Sequence, residues 1–159
     1  MPVVSNSSPL IALEQIGELE LLQSLFTEIL IPNQVAAETA ASVPPRLWIR
    51  QQSLSLSVLP VVQRPTLGPG EREAICLAIE VKACAILLDD DPARKLAVQL
   101  RLPVIGTAGV LVLAKERELI PAVRPCLECF NRESLLSGAY SLRVDSQASW
   151  GNVNNEIAQ

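Results

Sequence analysis

Residues 83–92 read ACAILLDDDP, an apolar run that ends abruptly in three aspartates and a proline. Six successive apolar residues without polar alternation are typical of a strand buried on both faces, as in a parallel sheet covered by helices. Pro92 indicates the start of a helix, because the first helical position has no partner for an N–H group. The stretch therefore predicts a strand, an acidic turn and a helix in succession.

The same alternation of strand and helix extends along most of the chain. Strands are predicted at residues 2–5, 27–31 and 103–105, with a candidate edge strand at 54–59. Helices are predicted from Ser8 as N-cap with Pro9 first, from Leu19, after Pro32, at 47–52, 71–82 and 92–100, and after Thr107 and Pro121. Alternating elements with apolar strands predict an α/β fold, a three-layer α/β/α sandwich with a mainly parallel central sheet.

Length and composition are those of one globular domain. The chain has 159 residues, 49% hydrophobic and 19% charged, which excludes a disordered chain or a coiled coil. We expect a domain at residues 1–136 and a loosely packed tail at 137–159, or a tail used in contacts between chains. No apolar run reaches the roughly 18 residues of a membrane span, and the first five residues lack a basic leader. We therefore expect a cytoplasmic protein.

The absence of histidine excludes whole classes of catalytic site. Ser-His-Asp and Cys-His catalysis and histidine-containing zinc sites are ruled out. Cys126 and Cys129 form a CxxC, but a redox or zinc role would need a second pair or a histidine, so two cysteines one helical turn apart is the favoured interpretation. The net charge of −4 argues against binding nucleic acid by bulk attraction, so any such binding needs a local basic surface or metal ions.

Polar and acidic residues follow three of the predicted strands. They are Asn6-Ser7, Asp89-Asp90-Asp91 and Gly106-Thr107. In an open parallel sheet, ligands bind beyond the carboxyl ends of the strands, where these groups would meet. Glu71 shares the inward face of its helix with Ala74 and Ile75, Glu73 is turned away from that face, and Glu38 lies late on the helix after Pro32.

Each acid also has a purely structural explanation. An acid in the first turn of a helix stabilises its dipole, and an aspartate after a strand is a common N-cap. Three successive aspartates nevertheless repel one another, and a bound cation would relieve that cost. Mg²⁺ and Mn²⁺ favour oxygen ligands, and they support hydrolysis of a phosphodiester without histidine.

In this order the motifs resemble those of the PIN-domain ribonucleases. They are NSSPLIAL (6–13), Ile31-Pro32 leading to Glu38, GPGEREAI (68–75), LLDD (87–90) and VIGT (104–107). The resemblance covers roughly residues 3–118. It implies an RNA-cleaving enzyme that uses Mg²⁺ or Mn²⁺, in many relatives the toxin of a toxin–antitoxin pair. Its implied partners are RNA, an antitoxin and a second copy in a homodimer.

The resemblance also assigns roles to individual residues. The first acidic position of the family falls on Asn6, the second on Glu38, the third on Glu71 or Glu73 and the fourth on Asp89 or Asp90. These six are the implied metal ligands, with Glu38, Glu71 and Asp90 as catalytic acids and Ser7 or Thr107 as hydrogen-bonding support. Most of the family has aspartate where this chain has Asn6, which implies weaker metal binding and leaves open a catalytically silent module that binds RNA or protein.

Two further interpretations concern the residues around the acidic run. Arg94 and Lys95 either contact RNA phosphates or form a solvated basic face. A phosphoacceptor regulator would also place aspartates after a strand. It requires an acidic pair after the first strand, however, and this chain has Asn6-Ser7 there.

Overall fold

The fold is built on a five-stranded sheet in which all pairs are parallel. The computed structural model describes residues 2–137, and their side chains as far as residue 132. The strands are β1 (Val3–Ser5), β2 (Ile29–Ile31), β3 (Ile49–Gln51), β4 (Ala85–Leu87) and β5 (Val104–Ile105), in the order β3-β2-β1-β4-β5. The helices are α1 (Ser7–Gln15), α2 (Leu21–Phe26), α3 (Asn33–Thr39), α4 (Pro69–Glu80), α5 (Asp91–Gln99), α6 (Thr107–Glu116) and α7 (Arg124–Ser137).

Helices cover both faces of the sheet, as the apolar strands predict. Side chains alternate along each strand, so Val3 faces one core and Val4 the other. The first core holds apolar residues of α1, α2, α6 and α7, and the second holds those of α4 and α5. The predicted α/β/α sandwich is confirmed. Helix α3 contacts both α1 and α4, so it carries its residues between the layers.

The strand order places a topological switch point at the centre of the sheet. From β1 the chain proceeds to β2 and β3 on one side, and it later continues to β4 and β5 on the other. Ser5 pairs with Leu87, and the backbone N–H of Asn6 donates to the Leu87 carbonyl at 3.1 Å. The chain segments that follow β1 and β4 therefore diverge from one point, and this is where open α/β sheets bind ligands.

Several sequence-based boundaries need correction. Residues 54–59 are not a strand, and β3 lies instead within the predicted helix at 47–52. The backbone N–H groups of Ser55 and Leu56 donate to the Glu80 carboxylate, so this segment needs no strand partner. Helix α1 begins at Ser7 with Asn6 as its N-cap, two residues before the predicted first position, Pro9.

Other expectations concern thiols and chain ends. Cys76 and Cys84 are buried in the core, and α7 carries the buried Cys126 and the exposed Cys129. Beyond Ser137, the expected tail lies outside the described residues. Among the described helices, none is long and apolar enough to cross a membrane.

Candidate active site

The first residue of the candidate site is Asn6, whose side-chain amide lies at the switch point of the sheet. Asn6 is 1% exposed, and its Nδ2 donates to Glu71 Oε1 at 3.2 Å. Its position is fixed by the pairing of β1 with β4 and by its place as N-cap of α1, where it makes no side-chain capping bond. The amide therefore faces the acids of α4 and does not cap its own helix.

Glu38 reaches the site from α3. Its Oε2 accepts a hydrogen bond from Ser7 Oγ at 2.6 Å, and its Oε1 accepts one from Gln34 Nε2 at 3.3 Å. The carboxylate lies directly against Gly70, where an added Cβ would come within 2.9 Å of Glu38 Cδ. Because Gly70 has no side chain, the first turn of α4 has room for the Glu38 carboxylate.

Glu71 lies at the centre of the acidic residues. Its Oε2 accepts a short hydrogen bond from the backbone N–H of Gly68, just before α4. Burial raises the pKa of the Glu71 carboxyl, and the nearby charges of Asp90 and Glu38 raise it further, against the bonds from Gly68 and Asn6. Glu71 is therefore close enough to both Glu38 and Asp90, which come from distant segments, to be repelled by each of them.

The structure distinguishes the two aspartates that the sequence left as alternatives. Both oxygens of Asp89 are held by Thr107, Oδ1 by its backbone N–H at 2.7 Å and Oδ2 by its hydroxyl at 2.6 Å. Burial raises the pKa of Asp89, while these bonds and the charge of Arg94 oppose that rise. Asp90 is the N-cap of α5 and makes no side-chain capping bond. Asp90 is therefore the aspartate that faces the other acids without being held by Thr107.

Glu73 is directed away from the central acids, as its helical position predicts. Its Oε2 accepts from the backbone N–H of Gln34 at 2.9 Å, in the first turn of α3. The bond joins α3 to α4, and Gln34 therefore anchors Glu73 through its backbone and Glu38 through its side chain. Sequence reasoning missed Gln34, although its spacing of four residues before Glu38 on a helix was a usable signal.

Of the two predicted RNA contacts, Arg94 is engaged within the fold. Its Nη1 donates to the Leu88 carbonyl at 3.0 Å and lies in close contact with Gly106. The side chain thus links the ends of β4 and β5. Lys95 is exposed on the next position of α5.

Comparison with protein families agrees with this fold. The family model described as PIN domain matches residues 2–137. The chain belongs to the PIN-domain family. No curated protein matches it in a sequence comparison. Membership gives the chain a nuclease-type fold, in a family whose nucleases bind RNA and generally use a divalent metal.

The PIN domain offers oxygen donors in a partly assembled arrangement. Within residues 2–132, no three acidic or cysteine side chains lie together in a geometry that would hold a metal ion. Glu71 nevertheless interacts electrostatically with Asp90 and Glu38, whose charges add to the rise that burial causes in its pKa, and a bound cation relieves such repulsion. Carboxylate, amide and hydroxyl oxygens are the donors that Mg²⁺ and Mn²⁺ prefer, so the residues present fit such an ion.

Proposed function

We propose that this PIN domain is a metal-dependent endoribonuclease. The observation that carries the proposal is the electrostatic interaction of Glu71 with both Asp90 and Glu38 near the switch point, which adds to the rise that burial causes in the pKa of Glu71. Glu38, Glu71 and Asp90 would hold Mg²⁺ or Mn²⁺, with the Asn6 amide beside them. A divalent ion in such a site activates water and offsets charge on a phosphate.

The chain's own residues keep these oxygens in place. Ser7 and Gln34 orient the Glu38 carboxylate, and Gly68 and Asn6 orient that of Glu71. Hydrogen bonds to a carboxylate favour its charged form, so the bonds from Gly68 and Asn6 oppose the rise that burial causes in the pKa of Glu71. Asp89 and Glu73 serve in this scheme as structural ties to Thr107 and Gln34, and Thr107 thereby supports the end of β4.

The test combines metal binding with RNA cleavage. Glu71→Gln and Asp90→Asn are expected to abolish Mn²⁺ binding in calorimetry and to reduce RNA cleavage by more than about 100-fold, since losing even an outer partner of a metal ligand costs about 10- to 100-fold. Glu116→Gln, which removes an exposed acid at the far end of α6, should change neither. A parent protein that neither binds Mn²⁺ nor cleaves RNA would refute the proposal.

The second candidate is a catalytically silent PIN module that binds RNA or a protein. Asn6 favours it, because the uncharged amide replaces an acid and already donates to Glu71. The discriminating variant is Asn6→Asp. If the parent binds RNA without cleaving it and Asn6→Asp gains Mn²⁺-dependent cleavage, the silent module is the correct interpretation.

The biological setting follows from the family resemblance and is also a proposal. We infer a cytoplasmic toxin that acts on RNA, is inhibited by an antitoxin protein and forms a homodimer. Size-exclusion chromatography with light scattering tests the dimer. Expression with and without the neighbouring genes, followed by growth measurement and comparison with Asp90→Asn, tests the toxin. If neither the parent protein nor Asp90→Asn slows growth when expressed alone, the toxin role is contradicted.

A further inference from the structure

A depression lies beside the first turns of α4, on a face of the helix that carries none of the central acids. Its volume is about 310 Å³, and it is lined by Val58, Gln63, Pro69, Arg72 and Glu73. Pro69, Arg72 and Glu73 are spaced at three and four residues, so they share one face of α4. Glu71 lies roughly 100° to 160° around the helix axis from these three residues, so the depression and the central acids lie on different sides of the first turn of α4.

Arg72 brings a positive charge to this depression without an acidic partner. Its Nη2 donates to the Arg64 carbonyl at 2.9 Å, and its buried Nε has no hydrogen-bond partner. Glu71 and Glu73 flank it in sequence, yet the ion pairs found among the described residues involve only Arg46 and Arg50. The Arg72 guanidinium therefore forms no ion pair with an acid among the described residues, although it lies between two glutamates in the sequence.

Leaving the positive charge of Arg72 unpaired costs free energy. The same charge gives this acidic protein a group that attracts phosphate. A protein of net charge −4 must attract RNA through a local basic group, and Arg94 is already bonded to Leu88. Guanidinium groups are well suited to phosphate, because their planar donors match its oxygens. Glu73 is the acid on the same wall, and the backbone N–H of Gln34 holds one of its oxygens.

We propose that this depression is a phosphate subsite for the RNA strand, with Arg72 as the contacting residue. The inference rests on the proposed function, since it assumes an RNA substrate at the central acids. The subsite binds a phosphate of the strand at a distance from the one that is cleaved, and so holds the RNA across the first turn of α4. Glu73 opposes this binding and limits its strength.

The test measures RNA binding in the absence of metal, so that cleavage does not interfere. A labelled single-stranded RNA is titrated in EDTA by fluorescence anisotropy at several salt concentrations. Each lost phosphate contact on a single strand lowers the slope of log K against log salt by about 0.7. We expect that decrease and weaker binding for Arg72→Gln, an unchanged slope for Arg72→Lys, and tighter binding for Glu73→Gln.

The controls separate a specific contact from a change in net charge or in fold. Arg117→Gln removes an exposed positive charge just after α6, far from the depression, and should leave the slope at the parent value. Equal slopes for Arg72→Gln and Arg117→Gln would overturn the subsite, as would equal losses for Arg72→Gln and Arg72→Lys. A parent that binds no RNA at low salt would remove the subsite together with an RNA substrate, whereas binding with an unchanged Arg72→Gln slope would leave the proposed nuclease intact.

Discussion

Single side chains decide how close the acids of this PIN domain come to one another. Asn6 and Gly70 are the clearest cases, because one supplies an amide where an acid would add charge and the other supplies empty space for Glu38. Asn6 lacks the charge of an acid, and Gly70 lacks a side chain. Neither effect is visible in a count of acidic residues.

Gly70→Ala is expected to separate stability from metal binding. The added Cβ would overlap the end of the Glu38 side chain, which is flexible and can swing aside, and alanine favours a helix by up to about 1 kcal/mol over glycine. We expect an unfolding free energy in urea that is unchanged or slightly higher, with Mn²⁺ affinity at least about tenfold lower, as for loss of a ligand's supporting partner.

The double variant Glu38→Ala/Gly70→Ala is the control for that substitution. Once Glu38 has been truncated, Gly70→Ala has no carboxylate to displace and should cause no further loss of Mn²⁺ affinity. An equal loss in both backgrounds would show that Gly70 acts by some other route.

At the scale of elements, the ends of strands and the starts of helices are joined by side chains. Asp89 after β4 accepts two bonds from Thr107 at the start of α6, and Glu73 on α4 accepts one from the first turn of α3. These ties hold the turn that carries Asp90 and the helix that carries Glu38. The acidic residues therefore depend on contacts that contain none of the proposed metal ligands.

Thr107→Val should destabilise the fold by about 1–3 kcal/mol, because it removes the hydroxyl donor and leaves a half-buried Asp89 oxygen without that partner. Thr107→Ser keeps the hydroxyl and should retain most of the stability. Urea denaturation of the three proteins measures the difference. A loss for serine with little or no loss for valine would mean that the methyl group of Thr107, not its hydroxyl, carries the effect.

The elements also show which features the sequence could predict. The buried strands β1 and β4 and the helix α4 have strong apolar patterns, and these patterns predict them within a few residues. Strand β3 was missed because it is an edge strand with the exposed Arg50 and Gln51, so it carries no apolar pattern. Residues 54–59 resembled a strand because leucine and valine alternate with serine, but Glu80 and not a neighbouring strand takes two of their backbone N–H groups.

The candidate site was predictable in kind but not in detail. Parallel strands end at the same edge of a sheet. The sequence therefore predicts that Asn6, Asp89-Asp90 and Thr107 lie at one edge. The sequence could not assign Asp89 to Thr107, nor the Arg94 guanidinium to the Leu88 carbonyl, because both depend on side-chain directions. The depression lined by Arg72 depends on tertiary packing, and no pattern in the sequence predicts it.

For the whole molecule, the raised pKa of Glu71 becomes a dependence of stability on pH. A carboxyl whose pKa is higher in the folded state binds its proton more tightly there, so the unfolding free energy falls as pH rises from the ordinary glutamate pKa to the raised value. Glu71→Gln removes this titration. The stability of the variant relative to the parent should therefore increase with pH across that window, although glutamine cannot accept both bonds that Glu71 receives.

Urea denaturation in EDTA at a series of pH values tests this dependence. Glu116→Gln, on the exposed end of α6, serves as the matched control and should follow the parent curve. A stability difference between Glu71→Gln and the parent that stays constant with pH, or that changes in the opposite direction, would contradict the expected titration of Glu71.

The central place of β1 has a consequence for the nascent chain. Val3 pairs with Ile29 on one side and with Ala85 on the other, so the strand synthesised first receives its second neighbour only after most of the domain has left the ribosome. Until then one edge of an apolar strand stays open, and such edges favour aggregation and slow closure. Asp90 emerges directly after β4, so the same event that closes the sheet also brings in the last acid. A nascent chain that ends before β4 therefore lacks both the second neighbour of β1 and Asp90, and it cannot complete the proposed metal site.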